Sequence, residues 1–172
     1  GMPMFDEPGR DGRALLAELR RLGERAHLDW QRAQFDHHRL PEIAERLLRA
    51  HPLPDAVWPA MVEFVLFNRT VTQEPTVFSD LRLDIYRSDR IRVQLVVILE
   101  EPTAIHDHRF AGAFAVVEGA MLDVAYRFDE TERPSAGTRL GDLRTGRLRL
   151  LRAGDVERID AGTGAFIHST HT

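Results

Sequence analysis

Cysteine is absent from this chain of 172 residues, which excludes disulfide bonds, thiolate metal ligands and a cysteine nucleophile. Lysine is also absent, so all 23 basic residues are arginine, and Asn68 is the only asparagine. That bias is typical of a GC-rich bacterial genome. Because the formal net charge is −4, the chain lacks the basic excess of a general nucleic-acid binder.

Long apolar runs are also missing. None approaches the ~20 residues of a membrane-spanning helix, and the longest, VQLVVIL, has the length of a buried strand. The first residues show no signal-peptide pattern, so we expect a cytoplasmic protein that does not bind membranes. An apolar content of 43% with 29% charged residues predicts one globular domain with a sizeable core.

The pattern of apolar residues changes from helix-like to strand-like near residue 77. Residues 1–76 contain helical patterns: DGRALLAELRRLGERAHLDW places Leu15, Leu16, Leu19 and Leu22 on one face, and LPEIAERLLRA has Pro41 in its first turn. Residues 77–172 carry short runs rich in Val, Ile and Leu, such as LRLDIY, RVQLVVIL and GRLRLL, separated by turn signals. The sequence predicts a mainly β antiparallel sandwich or small barrel, on which a helical N-terminal segment packs.

Two histidines stand one residue apart in the segment IHDH. In an extended strand, His106 and His108 point to the same face and Asp107 points to the other. Two imidazoles at this spacing can contact one ion, but a metal site needs a further ligand. Without that ligand, the pattern also fits surface histidines or buried, hydrogen-bonded ones.

The segment HDHRFAGAFAVVEG resembles the first signature motif of the cupins, which is H-x-H, three or four residues, glutamate, six residues and glycine. Gly119 matches the final glycine, and Gly112 stands where the glutamate ligand usually is. The second cupin motif is met loosely by AGDVERIDAGTGAFIHST, in which Gly154 opens the segment and His168 supplies the histidine. The usual proline and asparagine of this second motif are absent.

A cupin with three histidines and no glutamate ligand is similar to the thiol dioxygenases of the cysteine dioxygenase type, which also carry helices before the barrel. The resemblance implies a cupin-type antiparallel β-barrel or sandwich over 77–172, with a helical cap over 1–76. It implies a metal site formed by His106, His108 and His168. The implied cofactor is Fe(II), with zinc, nickel or manganese as alternatives. The implied reaction adds both atoms of O2 to a small thiol such as cysteine, giving its sulfinate.

The ligand set has a chemical consequence of its own. Three neutral imidazoles leave the full +2 charge on a divalent ion and up to three open positions, so an anionic thiolate and O2 can bind side by side. A carboxylate ligand would lower that charge by one. The same three histidines would also suit zinc with a bound water.

A carboxylate-bearing substrate would need an arginine near the metal, because a guanidinium binds a carboxylate through two hydrogen bonds. The thiol dioxygenases place this arginine on a strand before the H-x-H. The nearest match here is Arg87, which follows Tyr86, and Arg82 and Arg90 are the next candidates. Most of the chain's arginines are expected in surface ion pairs. Tyr86 and Tyr126 are the only tyrosines, and neither follows the third histidine as the family's tyrosine does.

The remaining histidines have no supporting pattern. His171 follows His168 by three residues, so it would face the other way in a strand and is not expected as a fourth ligand. We expect His37 and His38, which are adjacent, to be exposed polar residues. His27 and His51 have no ligand spacing.

The sequence given stops four residues after His168, where a cupin barrel normally needs another strand. We expect either a last strand beyond Thr172 or a partner subunit that closes the sheet edge, since open edges are usually covered. A homodimer is the default expectation. Two alternatives stay open: a non-oxidative metal-dependent cupin, such as an isomerase or hydrolase, and a non-enzymatic cupin that binds a small molecule.

Overall fold

A computed structural model describes residues 10–53, 81–98, 103–160, 162, 164 and 166–171. Within these residues the protein is mainly β, with antiparallel sheets and two helices, so the predicted class is confirmed. The helices are α1 (Arg10–Arg32) and α2 (Leu40–Ala50). The strands are β1 (Leu81–Arg87), β2 (Arg92–Val97), β3 (His106–Asp107), β4 (Gly112–Ala115), β5 (Ala120–Ser135), β6 (Thr138–Arg152), β7 (Val156–Ile159) and β8 (Ile167–His171).

The first of two compact units contains α1 and the antiparallel pair β1–β2. Three leucines of the stripe predicted from the sequence form its core: Leu15, Leu16 and Leu19 of α1 are buried and pack with strand residues Leu83, Ile85 and Leu95. The fourth, Leu22, is half-buried. Gly23 permits the close approach of α1 and β1, since a β-carbon there would lie 2.3 Å from the ring of Tyr86. Hydrophobic burial along one helix face thus holds this unit together.

The second unit contains α2 and strands β3 to β8. Its larger sheet has the order β3-β8-β5-β6, and β4 pairs separately with β7. Helix α2 packs against β4 and β7 through an apolar stripe that includes Ile43 and Leu47. One row of opposed residues crosses the whole four-stranded sheet, from His106 to His168, Ala125 and Arg147.

Two glycines of the cupin-like motifs have backbone conformations that favour glycine. Gly119 has a φ of 78° and Gly154 a φ of 94°, values at which a β-carbon is strained. They lie at neighbouring turns, because the amide of Ala153 donates to the carbonyl of Gly119 and the amide of Gly154 donates to the carbonyl of Val116. The motif glycines therefore shape the turns that join these strands.

The sheets do not close into a barrel within the described residues. A mainly β architecture with a histidine cluster is compatible with a cupin-like fold. The predicted boundary between residues 76 and 77 and the chain position Thr172 lie outside the described residues. Of the helices that the structure describes, none has the length and apolarity needed to cross a membrane.

Candidate metal centre

Three histidines come together on the second unit. His106 in β3 lies directly opposite His168 in β8, and His108 follows at the end of β3. One ring nitrogen from each of the three lies within 4.8 Å of the others. Although His168 is far from the other two in the sequence, the antiparallel pairing of β3 with β8 brings it beside them. The three residues named from the sequence therefore form one cluster.

Hydrogen bonds orient two of these rings. Nδ1 of His106 lies 2.7 Å from the carbonyl oxygen of Ala104, and Nδ1 of His168 lies 2.7 Å from Oδ1 of Asp123. A carbonyl or an ionised carboxylate can only accept a hydrogen bond, so both Nδ1 atoms donate and both Nε2 atoms keep a lone pair. This is the arrangement by which metal-binding histidines are usually held.

The spacing of the donor atoms suits one metal ion. Nε2 of His108 lies 3.0 Å from Nε2 of His168. Two nitrogens bound at about 2.1 Å and at right angles would be about 3.0 Å apart, whereas tetrahedral bonds would place them about 3.4 Å apart. Since no pair in the cluster exceeds 4.8 Å, a movement of 1–2 Å or so would bring all three nitrogens to one ion. The group can therefore hold a metal ion, and the geometry alone leaves its identity open.

Asp123 bonds to the histidine cluster, and the sequence motifs did not reveal it. Its side chain is 0% exposed, and Oδ2 has no hydrogen-bond partner within the described part of the chain. Burying a carboxylate is costly unless it serves a paired group, here the ring of His168. The only sequence signal is the position itself, a lone acidic residue in the apolar strand segment MLDVAY.

Burial favours the neutral form of His108. The pKa of this imidazole is lowered from 6.5 to about 4, chiefly by burial, then by the charges of His168 and His106, while Asp107 opposes the shift. A metal ion binds the neutral imidazole, so His108 is in its binding form at neutral pH.

Three phenylalanines lie beside the histidines. The ring of the buried Phe166 lies 4.5 Å from that of His168 and stacks at 5.8 Å on that of His108. Phe110 lies 4.8 Å from His108, and Phe114 lies 6.5 Å from His168. Because Phe110 is 59% exposed and His106 and His108 are half-buried, these rings cover only part of the cluster.

A cavity of about 310 Å³ opens beside His106. Besides His106, it is lined by four apolar side chains, one acidic residue and one basic residue: Ile105, Phe128, Leu143, Ile167, Asp107 and Arg139. The cavity is wide open to solvent, and its volume is at the small end of ligand-binding pockets.

The other histidines lie outside the cluster. His171 is exposed and its Nε2 lies 3.1 Å from the hydroxyl of Ser169, to which the hydroxyl of Tyr126 also bonds at 3.2 Å. His37 and His38 are exposed beside the start of α2. Tyr126 therefore belongs to a hydrogen-bonded group that does not include the three clustered histidines.

The arginine candidates belong to the first unit. Arg87 ends β1 opposite Arg92, and Arg82 lies opposite Val96. The guanidinium of Arg90 lies 4.2 Å from the centre of the Phe35 ring, a cation–π contact. The role of Arg87 as a substrate ligand stays a prediction.

Gly112 lies in β4 opposite Ile159, and a β-carbon at this position would meet no atom within 4 Å. The three clustered nitrogens are accompanied by no carboxylate ligand among the described residues. The donor set is therefore neutral, in agreement with the loss of the motif's glutamate. Neither a scan against protein-family profiles nor a search of curated proteins finds a match to this chain.

Proposed function

We propose that this chain is a metal-dependent cupin that acts as a non-haem Fe(II) dioxygenase on a small thiol. The observation that carries the proposal is the cluster of His106, His108 and His168, whose donor nitrogens lie within 4.8 Å without a carboxylate among them. Such a neutral donor set leaves the charge of a divalent ion uncompensated, which favours an anionic ligand such as a thiolate.

The donor set fits a ferrous ion, because imidazole is a suitable ligand for iron. When bound, this ion supplies the redox chemistry that adds both atoms of O2 to the sulfur of RSH, giving RSO2H. Asp123 would hold the ring of His168, and the carbonyl of Ala104 would hold that of His106. Phe166 would exclude water from the space beside the rings.

The proposed substrate is small, and the open cavity of about 310 Å³ beside His106 has room for such a molecule. Arg87 remains our proposed ligand for a substrate carboxylate. The proposed assembly is a homodimer in the cytoplasm.

The test is oxygen uptake by protein purified without oxygen and loaded with Fe(II). Cysteine, cysteamine and 3-mercaptopropionate are supplied in turn, and sulfinate is measured with oxygen. We expect uptake that requires both a thiol and His106, with His106→Ala inactive and His171→Ala active, since His171 is an exposed histidine outside the cluster. An Arg87→Gln variant should lose activity with the two carboxylate-bearing thiols and keep it with cysteamine.

Bound iron without thiol-dependent oxygen uptake would refute the dioxygenase. Metal-dependent turnover of another substrate without oxygen would favour an isomerase or hydrolase. Ligand-induced stabilisation without any turnover would favour a binding protein. Failure of the protein to bind any divalent ion would refute the metal centre itself.

A further inference from the structure

A second cavity of about 310 Å³ lies in the same unit and is lined by four arginines. Arg49 comes from α2, Arg147 and Arg149 from β6, and Arg158 from β7. The acidic residues of its lining are Glu45, Glu157 and Asp160. Four guanidinium groups facing three carboxylates leave one positive charge in excess, in a protein whose net charge is negative.

Two glutamates fix these arginines in place. Glu157, which is 7% exposed, forms ion pairs with Arg147, at 2.9 Å, and with Arg149. Glu45 forms ion pairs with Arg49, at 3.0 Å, and with Arg158. Each carboxylate is shared by two guanidinium groups, so neither glutamate alone neutralises its pair of arginines.

Within the described residues, the guanidinium groups use only some of their hydrogen-bond donors. Each carries five N–H donors in a fixed plane, and the bond from Arg147 to Glu157 uses one from its Nη2. Arg49 is further held because its Nη2 donates to the carbonyl of Val156 at 3.3 Å. Donors held by buried or shared carboxylates are preorganised, which lowers the entropy lost when an anion binds.

The cavity is next to the histidine cluster without containing any of its members. Arg147 lies opposite Ala125 and Arg149 opposite Asp123, on the sheet face that carries His168. Phe166 lines the cavity and its ring also contacts that of His168. An anion in this cavity would therefore bind near the histidine cluster, and Phe166 would contact both sites.

We propose that this arginine-lined cavity binds a tetrahedral oxyanion of the phosphate type, either free phosphate or the phosphate group of a small metabolite. Guanidinium groups that come from one helix and two different strands suit an anion whose oxygens point in several directions better than a planar carboxylate. Charge-assisted hydrogen bonds from arginine supply the affinity. The site needs no metal.

The test is calorimetric titration of the metal-free full chain with inorganic phosphate at constant ionic strength, with acetate as a second titrant. We expect saturable phosphate binding with a Kd of about 1 mM or tighter and much weaker binding of acetate. Arg147→Gln and Arg158→Gln should each weaken phosphate binding by about tenfold or more, since each removes charged donors. A phosphate monoester that binds clearly more tightly than inorganic phosphate would assign the site to a phosphorylated metabolite, and one that binds more weakly would assign it to the free ion.

The matched control is Arg133→Gln, which removes the same charge from an exposed arginine paired with Glu130 outside the cavity. This variant should bind phosphate within twofold or so of the unchanged protein, because distant exposed charges are screened. His106→Ala should also bind phosphate as the protein without substitutions does. Phosphate binding could therefore be observed even if the three histidines bind no metal ion.

If a cavity variant does not fold, NMR of the protein without substitutions tests the same site. Phosphate should then shift the Nε–H signals of Arg147, Arg149 and Arg158. Unsaturable titration, equal binding of acetate, or equal weakening by Arg133→Gln would overturn the proposal. The arginines would then form an ion-pair network that only joins α2 to β6 and β7.

Discussion

Replacing Asp123 with asparagine tests whether a buried carboxylate orients the metal centre. Asparagine has almost the same shape, and its side-chain oxygen can still accept the hydrogen bond that Nδ1 of His168 now donates at 2.7 Å. The substitution removes the negative charge of Asp123, and that charge makes the imidazole of His168 a stronger metal ligand. What is gained is a buried amide group where Oδ2 now has no partner among the described residues.

The two effects act on different quantities. Mutating the hydrogen-bond partner of a metal-binding histidine typically weakens metal binding by about 10–100-fold, which corresponds to about 1.4–2.7 kcal/mol. In the metal-free protein, replacing a charge-assisted hydrogen bond with a neutral one costs about 1 kcal/mol. Loss of a buried charge offsets part of that cost, so the unfolding free energy of the metal-free protein should change by no more than ~1 kcal/mol.

The assay measures Fe(II) and Co(II) affinity without oxygen by competition with a chelator, and urea unfolding of the metal-free protein. Asp129→Asn is the matched control, because Asp129 lies on the same strand, is 54% exposed and pairs with Arg144 at 3.0 Å. Asp123→Asn should weaken metal binding about 10–100-fold, and Asp129→Asn should leave it unchanged. Equal metal affinity in the two variants would refute the role assigned to Asp123.

Three further changes probe the fold and the site. Between pH 6.5 and 4 the metal-free protein should lose about 1 kcal/mol of unfolding free energy, because His108 is protonated at a higher pH in the unfolded state than in the folded state. The loss is limited because the ring is partly exposed. In urea unfolding, His108→Gln should make the unfolding free energy depend less on pH over this range. Leu151→Ala, at a fully buried position, should cost about 2–5 kcal/mol in chemical denaturation, and a cost below 1 kcal/mol or so would contradict the assigned core. Gly23→Ala should lower Tm because its β-carbon meets the Tyr86 ring, whereas Gly112→Ala, with open space, should not.

Local sequence patterns identified the elements whose residues are close in the chain. The leucines of α1 form the core of the first unit because a 3.6-residue period fixes which side chains share a helix face. The H-x-H pattern placed His106 and His108 together for a similar reason, since its two residues belong to one short segment. His168 was found through the resemblance, because no local period links residues that are 62 positions apart along the chain.

Residues that act through long-range pairing were missed. Asp123 reaches His168 only because β5 pairs with β8, and Arg147 enters the cavity only because β6 pairs with β5. A sequence with 23 basic residues, all of them arginine, gives little reason to choose one over another. Register between strands is set by packing and turns, which a single sequence shows poorly.

The long hairpin of β5 and β6 divides one strand into two environments. From Leu122 to Tyr126, β5 pairs with both β6 and β8, whereas from Arg127 to Ser135 its only partner in the described residues is β6. Amide hydrogens in the second part should exchange with solvent by local opening of a two-stranded ribbon about 30 Å long. A metal ion held by His168 should slow exchange in the first part alone, so the far end of the same strand serves as an internal reference.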